Sequence, residues 1–406
     1  MRAYERLISY AIIHTASAEN VTQTPTTERQ IALSRQLAEE LRLLGLEGVY
    51  EDEHAYVYGF LPASPGFEDR PCMGLIAHID TSPEFPGKNV KPQLVRNYDG
   101  GDLPLGESGR VLSVSRFPHL RSLKGQTLIT TDGTTLLGAD DKAGIAEIVT
   151  ACERILEERL PHGRIAVCFT PDEEVGHGAA LLDLERLGAD FAFTVDGGEL
   201  NEINFETFNA ASAHWEIQGF SIHPGSAKDR MINANLVAME LNALLPALDV
   251  PAHTEGYEGF FHLSDMQGSV AHATMDYIVR DHDPAVFKAR IELLERVEKE
   301  LNGKYGPGTV SLRITPSYRN MREVLEDHME ILELAKAAIE KSGLTCVFAP
   351  IRGGTDGAQL SFRGLPCPNL GTGGYCFHGP YEHITVEAMD KAVEILLHLA
   401  SGVAGV

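Results

Sequence analysis

The strongest constraint on the fold comes from apolar segments that each end at a side chain able to bind a metal ion. Four such segments have the length of a strand and cover residues 73–77, 164–170, 191–195 and 373–377. Runs without polar alternation are typical of strands buried on both faces, and helical patterns separate them along the chain. This order predicts an α/β fold with a mostly parallel sheet, whose functional residues lie beyond the carboxyl ends of its strands.

Polar side chains follow these segments directly. They are His78 and Asp80, Glu173 and Glu174, Asp196, and His378. Because the ends of parallel strands meet at one edge of a sheet, we expect these side chains to converge. In an extended stretch Asp80 lies on the same face as His78, so we expect it to accept the second N–H of the imidazole and to fix its tautomer.

Asp140 lies in a short loop that begins at Gly138 and leads into a helix with apolar residues at helical spacing. An aspartate in such a loop can present both carboxylate oxygens, so we predict that it is the shared ligand of a two-metal site. Taken alone, Asp140 and Asp141 would merely complement the positive end of the helix dipole. The other metal-capable segments favour the metal site.

The predicted ligands are two imidazoles and three carboxylates, from His78, Asp140, Glu174, Asp196 and His378. A mixed set of nitrogen and oxygen ligands suits zinc or cobalt better than calcium, which takes oxygen alone. Two ions that share one carboxylate would lie about 3.5–4 Å apart, and such a pair activates a water and polarises a carbonyl group.

Glu173 is left without a metal in this scheme, and a carboxylate beside an activated water is what a general base requires. An adjacent pair of glutamates is usually just solvated. Here Pro171 and Gly176 restrict the loop. We therefore predict that Glu174 binds metal and that Glu173 accepts and returns the proton.

A different pattern of polar and apolar residues begins near residue 208 and ends near residue 317. Alternating segments and two helical segments follow the order β-α-β-β-α-β, which predicts an inserted two-layer α+β domain. The predicted catalytic domain consists of residues 1–207 and 318–406, and the inserted domain of residues 208–317.

Net charge and cysteine content limit the kinds of molecule that the protein is expected to bind and the compartment in which it is expected to occur. The chain has 34 Lys+Arg against 58 Asp+Glu, a net charge of −24, which argues against nucleic acid or an anionic membrane. Its six cysteines include no C-x-x-C pair, as expected of reduced thiols. The N-terminal residues do not resemble a signal peptide, and no apolar run has the length of a membrane span. We expect a cytoplasmic protein.

The ordered motifs resemble those of the M20 metallopeptidases, and among these most closely the aminotripeptidases. The motifs are His78-Ile79-Asp80, Gly138-Ala139-Asp140-Asp141-Lys142, Glu173-Glu174-Val175-Gly176, Asp196-Gly197-Gly198 and Phe377-His378-Gly379. The resemblance implies that His78 and Asp196 hold one zinc ion, that Glu174 and His378 hold the other, and that Asp140 bridges them. It also implies a cis peptide bond after Asp140.

The resemblance extends to the inserted domain and to the segment 350–357. It implies that the inserted domain is a lid that closes over substrate and forms a homodimer. His223 would then reach the site of the partner subunit and polarise the scissile carbonyl oxygen there. We expect Arg280 and Arg352 to bind the terminal carboxylate of the peptide. The chain departs from the family after His378, where Pro380 and Tyr381 replace a Lys-His pair before Glu382. The next residue, His383, is a nearby alternative to His378, which is still the expected ligand.

The expected activity is hydrolysis of the N-terminal residue from tripeptides, with two zinc ions per subunit or cobalt in their place. A dipeptidase or an N-acyl-amino-acid deacylase of the same family would use the same metal ligands. A protein that binds metal or peptide without catalysis is a further alternative. Glu173 argues against it, because binding alone requires no base.

Overall fold

The computed structural model describes residues 1–405, which form two compact units. The first unit contains Met1–Phe205, Glu323–Ala349 and the chain from Thr355 onward. The second contains Glu206–Arg322 and Pro350–Gly354. The predicted lid and dimer functions of the inserted segment stay predictions.

The helices and strands follow one another as an α/β chain with an α+β insertion. The helices are α1 Ala3–Ala11, α2 Ile31–Leu44, α3 Ala139–Glu158, α4 Leu184–Leu187, α5 Ala234–Ala243, α6 Pro284–Tyr305, α7 Arg322–Leu325, α8 Met329–Lys341, α9 Asp356–Phe362 and α10 Val386–Gly405. The strands are β1 Glu47–Glu51, β2 Val57–Leu61, β3 Met73–His78, β4 Gln93–Val95, β5 Leu103–Pro104, β6 Val111–Leu112, β7 Leu128–Thr130, β8 Ile165–Thr170, β9 Phe191–Gly197, β10 Glu202–Glu206, β11 Asn209–Gln218, β12 Phe260–Gly268, β13 His272–Asp281, β14 Val310–Tyr318, β15 Val347–Pro350, β16 Asn369–Gly371 and β17 Ile384–Thr385.

The main sheet of the first unit has eight strands in the order β1-β2-β8-β3-β9-β16-β10-β15. Its four central strands, β8, β3, β9 and β16, run parallel. The neighbours β2 and β10 pair with this centre in antiparallel fashion. The predicted α/β class with a mostly parallel sheet is thus confirmed.

The central strands are buried on both faces because their side chains enter two different hydrophobic clusters. On one face Leu75, Val167 and Phe193 join the large cluster that includes residues of α1, α3 and α10. On the other face Ile76 and Cys168 join a smaller cluster that includes residues of α4 and α9. Alternate side chains therefore all find an apolar partner, which explains the uninterrupted apolar runs in the sequence.

The predicted strand at residues 373–377 was wrong. The parallel strand lies just before it, as β16, and the following residues form a loop with one isolated bridge between Tyr375 and His383. Gly373 and Cys376 have positive φ values of 83° and 58°, which lie outside the extended region of a strand. His378 therefore sits in a loop and not at a strand end.

The second unit contains a four-stranded antiparallel sheet in the order β12-β13-β11-β14. Its elements follow the predicted order β11-α5-β12-β13-α6-β14. Side chains of α5 and α6 share one hydrophobic cluster with this sheet, in which Trp215 is fully buried. No helix within residues 1–405 is long and apolar enough to cross a bilayer.

Candidate metal centre

The carboxylate of Asp140 faces two different imidazoles. Its Oδ1 lies 2.9 Å from Nε2 of His78, and its Oδ2 lies 3.2 Å from Nε2 of His378. Each imidazole nitrogen also has a carboxylate of its own. Asp196 Oδ1 is 3.4 Å from Nε2 of His78, and Glu174 Oε2 is 3.0 Å from Nε2 of His378. The structure thus brings all five predicted ligands together.

The sheet brings three of these residues to one edge. His78 is the last residue of β3 and lies opposite Thr170, the last residue of the parallel strand β8. Glu174 follows β8 in a short 3-10 turn, and Asp196 lies near the end of β9. Carboxyl ends of adjacent parallel strands meet in this way, as the sequence indicated.

Asp140 reaches this edge from the start of α3. Gly138 adopts a left-handed conformation at φ 76°, and Asp140 and Asp141 have non-helical backbone angles before the regular helix begins. The peptide bond between Asp140 and Asp141 is cis, as the resemblance implied. Asp140 is therefore not an ordinary first-turn residue that complements the helix dipole.

Asp80 is fully buried and fixes the two glutamates through their backbone. Its Oδ1 accepts the N–H of Glu173 at 3.0 Å, and its Oδ2 accepts the N–H of Glu174 at 3.3 Å. The expected contact with His78 involves mainly the backbone instead. Nδ1 of His78 lies 3.0 Å from the carbonyl oxygen of Asp80 and 3.4 Å from its carboxylate. The carbonyl therefore fixes the tautomer that leaves Nε2 of His78 free to bind a cation.

Glu173 and Glu174 are consecutive residues of a 3-10 turn, which has about three residues per turn and so separates consecutive side chains by about 120° around its axis. Glu174 reaches His378, whereas Glu173 does not belong to any group of metal-capable donors found within residues 1–405. Burial raises the pKa of Glu173 well above the usual range, and the negative charge of Asp196 raises it further. A half-buried carboxyl with a raised pKa is a stronger base once ionised.

Two carboxylates whose roles sequence reasoning missed hold Asp140 and His78 in place. The buried Glu382 accepts the N–H groups of Leu137 and Gly138 through Oε2, at 2.7 Å and 2.8 Å, and that of Asp140 through Oε1 at 3.0 Å. Asp141 accepts the backbone N–H of His78 at 3.1 Å. The local sequence did not predict these roles, because each carboxylate accepts from a backbone N–H group that is distant along the chain.

The electrostatics of the cluster favour positive charge at its centre. Burial raises the pKa of Glu174 to about 7 and that of Asp196 to about 6. Burial also opposes ionisation of Asp140, but hydrogen bonds from His378 and His78 hold its pKa below the usual value. Hydrogen bonds to Asp140 and Glu174 raise the pKa of His378 to about 11. A metal cation bound to the imidazole nitrogens would supply the positive charge that these carboxylates require.

A buried oxygen of one proposed ligand also lacks a partner. Oε1 of Glu174 is inaccessible to solvent and has no hydrogen bond within residues 1–405. A buried carboxylate oxygen without a partner is costly, and a bound cation would satisfy it. The donor set and this oxygen both fit metal ions on the two sides of Asp140.

The remaining predicted residues belong to the second unit. His223 is exposed, and its Nδ1 accepts the N–H of Gly225 at 3.1 Å. Arg280 donates to the carbonyl oxygens of Ala211 and Val279, at 3.2 Å and 3.0 Å.

Arg352 donates to the carbonyl oxygens of Gly256 and Glu258, at 2.8 Å and 2.7 Å, and to the hydroxyl of Thr254 at 2.9 Å. Within residues 1–405, neither Arg280 nor Arg352 forms an ion pair with a carboxylate. Both guanidinium groups donate hydrogen bonds to neutral oxygen atoms instead.

Comparison with known proteins identifies the family. The chain matches peptidase family M20/M25/M40 over residues 131–402. Peptidase T from Caldanaerobacter subterraneus subsp. tengcongensis is 50% identical over 400 residues, which cover 98% of each chain. Peptidase T from Bacillus subtilis is 48% identical over 398 residues, covering 98% of this chain and 97% of that one. The crystal structure of a tripeptidase from Staphylococcus aureus has a TM-score of 0.80 at 22% identity, covering 100% of this chain and 98% of that one.

A parallel sheet with imidazoles and carboxylates gathered at its strand ends is typical of metallohydrolases. The chain belongs to peptidase family M20/M25/M40. The predicted family and the predicted class of metallo-aminopeptidase are confirmed, since the relatives similar over the full length are named peptidase T.

The role of Glu382 is testable by the substitution Glu382→Gln. The amide places a donor where one carboxylate oxygen accepts backbone N–H groups, so the Asp140 loop loses part of its support. We expect metal affinity to fall by about 10–100-fold, as for other residues that orient ligands. Metal content would be measured by mass spectrometry at buffered free zinc.

Glu387→Gln is the matched control, because Glu387 also accepts one backbone N–H, that of Thr127, but at an exposed position. It should retain the metal affinity of the unmodified protein. Equal zinc affinity in the Glu382→Gln and Glu387→Gln variants would contradict the proposed support of Asp140.

Proposed function

We propose that the protein is an aminotripeptidase that removes the N-terminal residue of tripeptides with two divalent ions and Glu173 as general base. The observation that carries the proposal is the carboxylate of Asp140, whose oxygens lie 2.9 Å and 3.2 Å from two different imidazole nitrogens. A single-ion site would not need a carboxylate presented to both sides.

The proposed ligands form two sets that share Asp140. His78 and Asp196 would complete one set, and His378 and Glu174 the other. Their nitrogen and oxygen donors favour zinc, with cobalt as a close substitute. The bound ions would supply the positive charge that lowers the pKa of a water molecule and polarises the substrate carbonyl.

A side chain of the protein, that of Glu173, would transfer the proton during hydrolysis. Glu173, ionised and close to the ligands, would accept a proton from the attacking water and donate it to the leaving amine. Hydrogen bonds from the backbone of Glu173 and Glu174 to Asp80 fix the turn that carries both side chains. Asp80 is thus proposed as a positioning residue, which acts through His78 and through the glutamates.

His223 is proposed to stabilise the developing oxyanion. Its Nδ1 accepts the N–H of Gly225, so a neutral ring carries its proton on Nε2. That leaves an N–H donor on the exposed side of the side chain, which is what a carbonyl oxygen requires as it gains negative charge.

The preference for tripeptides is proposed from two sources. One is the similarity over the full length to proteins named peptidase T, together with the fold shared with a tripeptidase. The other is the pair Arg280 and Arg352, whose guanidinium groups have no carboxylate partner within residues 1–405 and match a terminal carboxylate in shape and charge. We also propose a cytoplasmic homodimer that associates through the second unit.

The division between the glutamates is tested by paired substitutions. Glu173→Gln should lower turnover by about 10²–10⁴-fold, because a general base is lost, and should leave metal content unchanged. Glu174→Gln should instead lose metal, because one ligand is replaced by an amide. Turnover and bound zinc would be measured on the same preparations.

Each variant is the control for the other, since the two side chains are adjacent and isosteric. Loss of metal in the Glu173→Gln variant would show that the two roles are reversed. Full turnover in that variant would remove Glu173 as the base.

Substrate class is tested by amine release from free di-, tri- and tetrapeptides, an N-acetylated tripeptide and a C-terminally amidated tripeptide. Metal-depleted protein would be assayed with and without added zinc or cobalt. We expect metal-dependent cleavage of the free tripeptide at its first bond, with the amidated tripeptide much poorer because the arginines lose their anion.

The other outcomes separate the alternatives. Preference for the acetylated tripeptide or the dipeptide would indicate a deacylase or dipeptidase. Tight metal binding without any cleavage would indicate a binding protein. Equal cleavage of free and amidated tripeptides would contradict only the role of Arg280 and Arg352.

A further inference from the structure

A second group of metal-capable side chains lies within the first unit. It consists of His119, Cys376 and His383, whose donor atoms all lie within 4.8 Å of one another. None of the three belongs to the cluster around Asp140. His383, considered in the sequence as an alternative to His378, therefore has a different set of neighbours.

Hydrogen bonding determines which nitrogen of His383 carries the proton. Nδ1 lies 2.7 Å from the carbonyl oxygen of Tyr381. A carbonyl only accepts, so Nδ1 is the donor and Nε2 of the neutral ring keeps its lone pair. Burial lowers the pKa of His383 to about 4, which keeps the ring neutral at neutral pH. An imidazole whose second N–H is held by a carbonyl is the usual arrangement of a metal ligand.

The lone pair of His383 points to a second imidazole. Its Nε2 lies 3.0 Å from Nε2 of His119, and the two rings are inclined by only 5°. In a tetrahedral site two ligand nitrogens lie about 3.3 Å apart, because each is 2.0–2.1 Å from the ion. To hold an ion between them, the two nitrogens would need to separate by about 0.3 Å and the rings would need to turn, so that both lone pairs converge on the ion.

Surrounding contacts hold the three residues together. Tyr375 and His383 exchange two backbone hydrogen bonds, of 2.8 Å and 3.1 Å, which bring the neighbouring Cys376 close to the imidazole. The ring of Tyr375 also stacks on His119, with 4.4 Å between ring centroids. His119 itself lies in a 3-10 turn, Pro118–Leu123. The group thus has a fixed frame made of two separate chain segments.

We propose that His119, Cys376 and His383 form a third cation site, for a thiophilic transition-metal ion such as zinc(II) or copper(I). Two imidazoles and a thiolate favour these ions and disfavour calcium and magnesium. Binding would release the thiol proton to solvent and leave the fourth ligand position to water. The competing arrangement is an N–H···N hydrogen bond between the imidazoles without any ion.

Cobalt(II) provides a probe that separates this site from the cluster around Asp140. The proposed ligands of that cluster contain no sulfur, so only the third site would give a thiolate-to-cobalt charge-transfer band in the near ultraviolet. Metal-depleted protein would be titrated with cobalt, and bound metal would be counted by mass spectrometry. We expect the band in the unmodified protein, and its loss together with one ion per chain in Cys376→Ser.

Two further variants keep the test independent of misfolding. Cys346→Ser is the matched control, because Cys346 is also partly exposed, and it should retain the band. His119→Ala keeps the thiol and should weaken cobalt binding at this site by at least about tenfold. Absence of the band at saturating cobalt, or its persistence in Cys376→Ser, would overturn the proposal.

Discussion

The carboxylate of Asp140 is the group on which the rest of the site depends. Its oxygens face imidazoles from two distant parts of the chain, at 2.9 Å for His78 and 3.2 Å for His378. Three carboxylates gathered in this space repel one another, and burial makes the repulsion stronger. Such a cluster is stable only where positive charge compensates it and where the backbone holds each carboxylate in place.

The backbone is held by carboxylates that are not among the five proposed ligands. Asp80 binds the N–H groups of both glutamates, and Glu382 binds those of the Asp140 loop. Asp141 does the same for His78. His78, Asp140 and Glu174 are therefore each fixed through their backbone N–H by a carboxylate, an arrangement that limits the motion of ligands around an ion. Glu173 and Glu174, although adjacent, are each held by a different oxygen of Asp80.

The sequence predicted well those parts of the fold that depend on the local pattern of polar and apolar residues. The strands β3, β8 and β9 were recognisable because two-sided burial demands apolar residues throughout, and the order of elements in the second unit followed from its alternating segments. Residues 373–377 failed this reasoning, since their composition is apolar while positive φ values turn the chain. The role of Glu382 was also invisible, because its backbone partners lie 242–245 residues away along the chain.

Anomalous diffraction at the zinc edge, from crystals of the zinc-loaded protein, would test the sharing of Asp140 most directly. In the cluster around Asp140 we expect two peaks, one on each side of this carboxylate. One should contact His78 and Asp196, and the other His378 and Glu174. A single peak in the cluster, or two peaks that Asp140 does not contact, would contradict the account.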